Sequence, residues 1–234
     1  MVTCLILDML CPQVFFLFCL FINEIYRLLS KMAFLNWVSP KLLLLGDSIF
    51  KYTPDYLKNY VENSLGVFVE IAGFGGLTIS EVIGPSGVGH EKIKDANILV
   101  LSLGQNDVSR GVGNPSLGES VAIRMMFNLC RLSALYPHLL IVLLPITFRN
   151  INTLPSSKFP ESYDANYITS VNSSIVDIYN FLAPCPCHSS KLLFMRPYPD
   201  SDIPGPDGLH LSKHGKEQIL LSAVTSLKQW MKHP

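Results

Sequence analysis

From residue 41 onward the chain alternates short apolar runs with longer segments of helical period, and this alternation restricts the fold more than any single motif does. Lys41 to Leu45, Val67 to Ile71, Ile98 to Ser102, Leu139 to Leu144 and Leu192 to Tyr198 are brief, apolar and bounded by Gly, Pro, Asn or Asp. Runs of this kind read as buried strands. Between them, Val121, Met125, Leu129 and Leu132 recur at helical spacing, as do Ile168, Val171, Ile175 and Ile178, so both segments are expected to be amphipathic helices. Beyond the last run, Ser212 is placed to cap a helix that carries Ile219, Leu220, Ala223, Val224 and Leu227. Strands that alternate with helices need right-handed crossovers, and these set helices on both faces of a parallel sheet. The expected class is therefore α/β, a three-layer α/β/α sandwich with one strand for each of the five runs. Such sheets bind ligands beyond the carboxyl ends of their strands, so the residues after each run are the ones to search for chemistry.

Four short motifs stand there. Gly46-Asp47-Ser48 follows the first run, and Ser48 reads either as a helix-cap serine or as a nucleophile at a strand end. Phe50 stands where a G-x-S-x-G elbow would have its second glycine, so that motif is excluded. Ala72-Gly-Phe-Gly-Gly-Leu-Thr78 follows the second run, and its glycines can present backbone N–H groups to an anion, although taken alone it reads as a turn. Gly104-Gln105-Asn106-Asp107 follows the third run. The Asn106 amide can donate to a developing oxyanion, or can simply make a turn. Asp207-Gly208-Leu209-His210 precedes the last helix. Its spacing of three lets a carboxylate orient one imidazole nitrogen while the other serves as general base. His90, His138, His188, His214 and His233 have no such acid before them, and His214 is expected to face solvent.

Each motif is weak alone, but their joint order after separate strands delivers a nucleophile, oxyanion donors, an acid and a base to one rim. The set resembles the SGNH hydrolase superfamily of GDSL-type esterases and lipases over roughly residues 41 to 232. The resemblance implies a flavodoxin-like sandwich with a five-stranded parallel sheet. It also implies Ser48 as nucleophile, His210 as base, Asp207 as its orienting acid, and an oxyanion hole made by the Ser48 and Gly76 N–H groups with the Asn106 amide. Ile71 stands where the second block often has Asn, which leaves Gly73 and Gly75 as alternatives to Gly76. No cofactor and no metal are implied. The expected activity is hydrolysis of a carboxylic ester, with a short acyl group such as acetyl favoured on a small-molecule, lipid or carbohydrate alcohol. Two alternatives remain: an inactive binding module on the same fold, and an acyltransferase that uses the same serine.

Composition narrows the partners. A chain of 234 residues is long enough for one sizeable core. Eighteen basic residues balance eighteen acidic ones, so the field that phosphate backbones require is missing and nucleic acid is not an expected partner. The six cysteines, Cys4, Cys11, Cys19, Cys130, Cys185 and Cys187, form no disulfide or zinc pattern and read as reduced thiols. Residues 1–31 form an apolar extension ahead of a hydrolase domain at 32–234. Its basic residues, Arg27 and Lys31, follow the apolar run, unlike a cleaved signal, and Asp8, Pro12 and Gln13 interrupt a membrane-spanning length. The extension is either a membrane anchor or a stretch ahead of the true or an alternative start at Met32, with a cytoplasmic location favoured over an anchored one.

Overall fold

The computed structural model describes residues 40–51, 53–110, 117–147, 165–182, 192–195, 205 and 210–232. Asp207, Leu209 and residues 1–31 lie outside the described residues. The strands are β1 (Lys41–Gly46), β2 (Phe68–Gly73), β3 (Ile98–Ser102), β4 (Leu140–Leu143) and β5 (Leu192–Phe194). They form one sheet in the order β2-β1-β3-β4-β5, and every pairing is parallel.

Three of the five strands fall within their expected runs, β1 extends one residue past Leu45 to Gly46, and β2 departs from its run. It ends two residues beyond Ile71, because the ladder to β1 continues through Ala72 and Gly73. β5 closes at Phe194 rather than Tyr198, with residues 196–198 outside the described set.

The helices are α1 (Ser48–Lys51), α2 (Asp55–Leu65), α3 (Ile79–Ile83), α4 (His90–Ile93), α5 (Gln105–Arg110), α6 (Leu117–Leu135), α7 (Ala165–Leu182) and α8 (Lys213–Lys232). The two internal periodic segments become α6 and α7. The expected cap on the last helix is present, with the Gly215 N–H donating to Ser212 Oγ at 2.9 Å.

Leu42 to Leu45 are all 0–1% exposed, so β1 is covered on both faces. Successive strand side chains point to opposite faces. Leu43, Leu45, Leu99 and Leu101 pack with Val82 of α3, Met125 and Leu129 of α6, and Val171 and Ile175 of α7 in one core. The opposite set, Leu42, Leu44, Ile98 and Val100, is buried as well, as are Leu57 and Val61 of α2 and Ile219, Ala223 and Leu227 of α8. The sandwich is thus three-layered. Each buried aliphatic side chain contributes about 2 kcal/mol, and Leu43→Ala at the sheet centre would cost about 3 kcal/mol. Among the described residues no helix is long and apolar enough to cross a membrane.

Candidate active site

Register sets the height of the rim. Gly46 pairs with Gly73 on one side and with Ser102 on the other, so β2, β1 and β3 end level. Two backbone bonds then tie the departing loops together: the Asp47 N–H donates to the Ser102 carbonyl at 3.1 Å, and the Phe74 N–H donates to the Gly46 carbonyl at 2.7 Å. Asp47 is fully buried, and its Oδ1 accepts the Ile49 N–H at 3.0 Å. This is the bond of a helix cap, made from the residue before the first turn. The cap that the sequence offered to Ser48 therefore belongs one position earlier. Ser48 is the first residue of α1 and is half-buried.

The loop after β2 lies against α1. A side chain at Gly73 would collide with the backbone N and Cα of Lys51, so glycine is required for α1 to sit on the end of β2. Phe74 to Leu77 form a turn closed by the Leu77 N–H on the Phe74 carbonyl at 3.3 Å. Gly76 occupies its third position with φ +82° and is exposed. That positive φ at the third position is the mark of a type II turn and suits glycine. Thr78 then caps α3 in a reciprocal box: Thr78 Oγ1 accepts the Glu81 N–H at 3.4 Å, and the Glu81 carboxylate accepts the Thr78 N–H at 2.7 Å. The Thr78 N–H, the Thr78 hydroxyl and Arg110 together hold the Glu81 carboxyl below its ordinary range.

α5, after β3, holds this loop along its length. Asn106 Nδ2 donates to the Leu77 carbonyl at 2.8 Å, which leaves the second amide hydrogen for another acceptor. Asp107 Oδ2 accepts the Ile79 N–H at 2.8 Å, while Oδ1 accepts Arg124 at 2.7 Å. Arg110 donates to the Gly76 carbonyl at 2.7 Å and lies 3.3 Å from the Glu81 carboxylate. Neighbouring loops are pinned in the same manner. Gln105 donates to the Thr147 carbonyl at 2.6 Å, and Asn172 both accepts from and donates to the Ile146 backbone, at 2.9 and 2.8 Å.

The reading of Gly-x-Asn-Asp gave a role to its Asn and none to its acid. Asp107 has a fully buried side chain, and a charge buried to that degree needs partners. The signal for it was in the motif, an acid directly after Asn106. Arg124, its counter-charge, lies seventeen residues on (107 to 124) in another helix and carries no local signal.

His210 is half-buried at the entrance to α8, and its carbonyl accepts the Gly205 N–H at 2.6 Å. The first turns of α8 meet the start of α2. Lys213 Nζ sits 5.0 Å from the Tyr56 ring centre, and the Tyr56 hydroxyl donates to Glu217, a bond that pushes Tyr56 up to about 12. Because α2 begins four residues after α1 ends (51 to 55), this contact brings the segment after His210 to the side of the sheet that carries Ser48. Asp207, the expected orienting acid, lies outside the described residues, so its relation to His210 is not part of this geometry.

Among the other described histidines, His90 bonds with Tyr136 and the Gly84 carbonyl, His138 with the Ala96 carbonyl, and His214 is 60% exposed as expected. Phe50 is buried at 1% exposure, whereas Phe74 and Leu77 are half-buried against the core. A cavity of about 450 Å³ runs along the outer edge of β2, lined by Lys51, Thr53, Asp55, Lys58 and Phe68 among others, and not by Ser48, Gly76, Asn106 or His210.

Solved structures share this fold. A carbohydrate acetylesterase from Sinorhizobium meliloti superimposes with a TM-score of 0.57 at 13% identity, over 82% of this chain and 100% of its own. A family 3 carbohydrate esterase from Talaromyces cellulolyticus gives 0.57 at 16% identity, over 83% and 99%. A GDSL-like lipase from Bacteroides thetaiotaomicron gives 0.50 at 14% identity, over 90% and 97%. The chain has the SGNH-hydrolase fold. On that fold, Ser48, Gly76 and Asn106 follow the carboxyl ends of three adjacent strands, and His210 leads into the last helix. No protein-family model matches the sequence, and no curated protein sequence does.

Proposed function

We propose that this chain is a serine ester hydrolase of the SGNH type that favours short acyl groups such as acetyl. The observation that carries the reading is the joining of three strand-end loops, with the capping bond of α1 made by Asp47 and Ser48 next in line at the helix start. A helix start places a serine beside backbone donors not used within the helix, which is where an attacked carbonyl needs them.

In this mechanism Ser48 Oγ attacks the ester carbonyl carbon and its proton passes to His210. The carbonyl π pair moves onto oxygen, and the resulting oxyanion is held by the N–H groups of Ser48 and Gly76 and by the second Asn106 amide hydrogen. Collapse expels the alcohol, which takes the proton from His210. Water, deprotonated by His210, then attacks the acyl-enzyme and releases the acid. Asp207 orients the imidazole and stabilises its protonated form. The preference for acetyl is supported by the esterases that share the fold, one of which acts on acetylated carbohydrate.

The test is hydrolysis of p-nitrophenyl acetate, butyrate and octanoate, and of a peracetylated sugar, by the full chain beside Ser48→Ala. The acetyl substrates should turn over fastest, and a folded Ser48→Ala protein should lose activity on all of them. Undiminished turnover by Ser48→Ala would reject the serine mechanism. A folded parent inert on every ester would point to a binding module, and acetyl transfer to an added alcohol in preference to water would point to an acyltransferase.

A further inference from the structure

We propose that Arg110 is a positioning residue: paired with Glu81, it braces the Phe74–Leu77 turn and thereby fixes the Gly76 N–H as an oxyanion donor. This rests on the esterase reading above and extends it to a residue outside the four motifs.

The turn needs bracing because both of its central residues, Gly75 and Gly76, are glycines, which lose more conformational freedom on ordering than any other residue. Both are exposed; a Cβ at Gly76 would meet nothing within 4 Å, and one at Gly75 would meet the end of the Lys51 side chain at 3.6 Å. The closing Leu77-to-Phe74 bond, at 3.3 Å, is long. Order must therefore come from outside the turn, and α5 supplies it. Asn106 and Asp107 reach Leu77 and Ile79, one and three residues further on, while Arg110 reaches the Gly76 carbonyl itself at 2.7 Å.

Arg110 is 57% exposed and on a freely moving side chain would hold little. Its other nitrogen lies 3.3 Å from Glu81, whose carboxylate is already fixed by the Thr78 N–H and hydroxyl, both at 2.7 Å. The planar guanidinium therefore ties the Gly76 carbonyl to the anchored Glu81 carboxylate, an arrangement for which a lysine ammonium is poorly shaped. Asn106, Asp107 and Arg110 lie on consecutive turns of the same short helix, so one element both supplies an oxyanion donor and sets another.

The experiment compares the full chain with Arg110→Ala, Arg110→Lys, Glu81→Gln and Ser48→Ala. It measures kcat and KM on p-nitrophenyl acetate, and backbone hydrogen exchange at residues 75–77 with β1 as internal reference. Arg110→Ala should speed exchange at 75–77 without altering β1, and should lower kcat by about tenfold with KM within about twofold. That is less than the roughly hundred- to thousandfold loss of a whole donor. Arg110→Lys should fall between Arg110→Ala and the parent, and Glu81→Gln should move both readouts the same way by a smaller factor. Unchanged exchange in Arg110→Ala would overturn the bracing, and faster exchange with unchanged kcat would overturn its role in catalysis. A rise in KM at constant kcat would make Arg110 a substrate contact instead. If Ser48→Ala keeps its turnover, the esterase reading has failed and the positioning role falls with it. If Ser48→Ala is dead while Arg110→Ala matches the parent, only the role of Arg110 has failed.

Discussion

The two ends of the sheet use the same kinds of bond for different results. At the amino end, the Lys41 N–H donates to Asn97 Oδ1 at 2.8 Å, the Asn97 N–H returns to the Lys41 carbonyl at 2.9 Å, and Lys41 and Lys92 each lie 2.6 Å from Glu70. These bonds close strand ends, and the ion pairs are partly solvated. At the carboxyl end the bonds run between loops, from Asp47, Asn106, Asp107 and Arg110 to the backbone of residues 49 and 76–79. Two of those side chains, Asp47 and Asp107, are buried. The amino end holds the sheet together, whereas the carboxyl end holds donors and a serine at set positions. Substitutions at the first should move stability alone, and at the second should move turnover.

The largest expected effect is that of Ser48→Ala, which should reduce turnover of p-nitrophenyl acetate by at least about a thousandfold. Its thermal midpoint should stay near that of the parent, because Asp47 and not Ser48 caps α1. Activity lost together with several degrees of stability would put Ser48 back in the capping role. Next, Asn106→Ala should lower kcat by about a hundred- to thousandfold, with a smaller loss of stability from its bond to Leu77. An effect on KM alone would remove Asn106 from the oxyanion hole.

Asp107→Ala should cross the division between the two ends. It removes the acceptor for Ile79 and strands the half-exposed Arg124, so urea titration should show a loss of about 2–3 kcal/mol alongside reduced turnover. Loss of stability with full turnover would place Asp107 with the amino-end residues. At the amino end itself, Asn97→Ala should cost about 1 kcal/mol with kcat unchanged.

The smallest effect concerns Glu70. Its bonds to Lys41 and then to Lys92 hold its carboxyl below the ordinary range. A depressed folded-state pKa contributes stability above the unfolded-state value, and this is lost as pH falls through the folded-state value. Glu70→Gln should therefore cost no more than about 1 kcal/mol at neutral pH, and the gap to the parent should close in acid. A gap that widens in acid would contradict the sign of that coupling.

The sheet was legible in the sequence because its central strands β1, β3 and β4 are buried on both faces and so are written as unbroken runs such as Leu42 to Leu45. β2 was misjudged at its end because Ala72 and Gly73 resemble the start of a turn. Gly73 is in the strand because it pairs with Gly46 of β1, and it is glycine because the backbone of Lys51 leaves no room for a side chain, tertiary facts with no local signature. The site was legible as residue types in chain order. Ser48, Gly76 and Asn106 do leave adjacent strands, which the β2-β1-β3 order makes neighbours. What the sequence could not show was how the rim is held. The Arg124 counter-charge to Asp107 and the Arg110 contacts with Gly76 and Glu81 depend on partners that only folding brings near.

The central claim is that Ser48 is a nucleophile activated by His210, and covalent capture tests it most directly. The full chain, Ser48→Ala and His210→Ala would each be treated with a fluorophosphonate and mapped by peptide mass spectrometry. The account predicts one adduct, on the peptide and residue of Ser48, absent from Ser48→Ala and formed far more slowly by His210→Ala. An adduct on another residue, or equal labelling of Ser48 with and without His210, would contradict it.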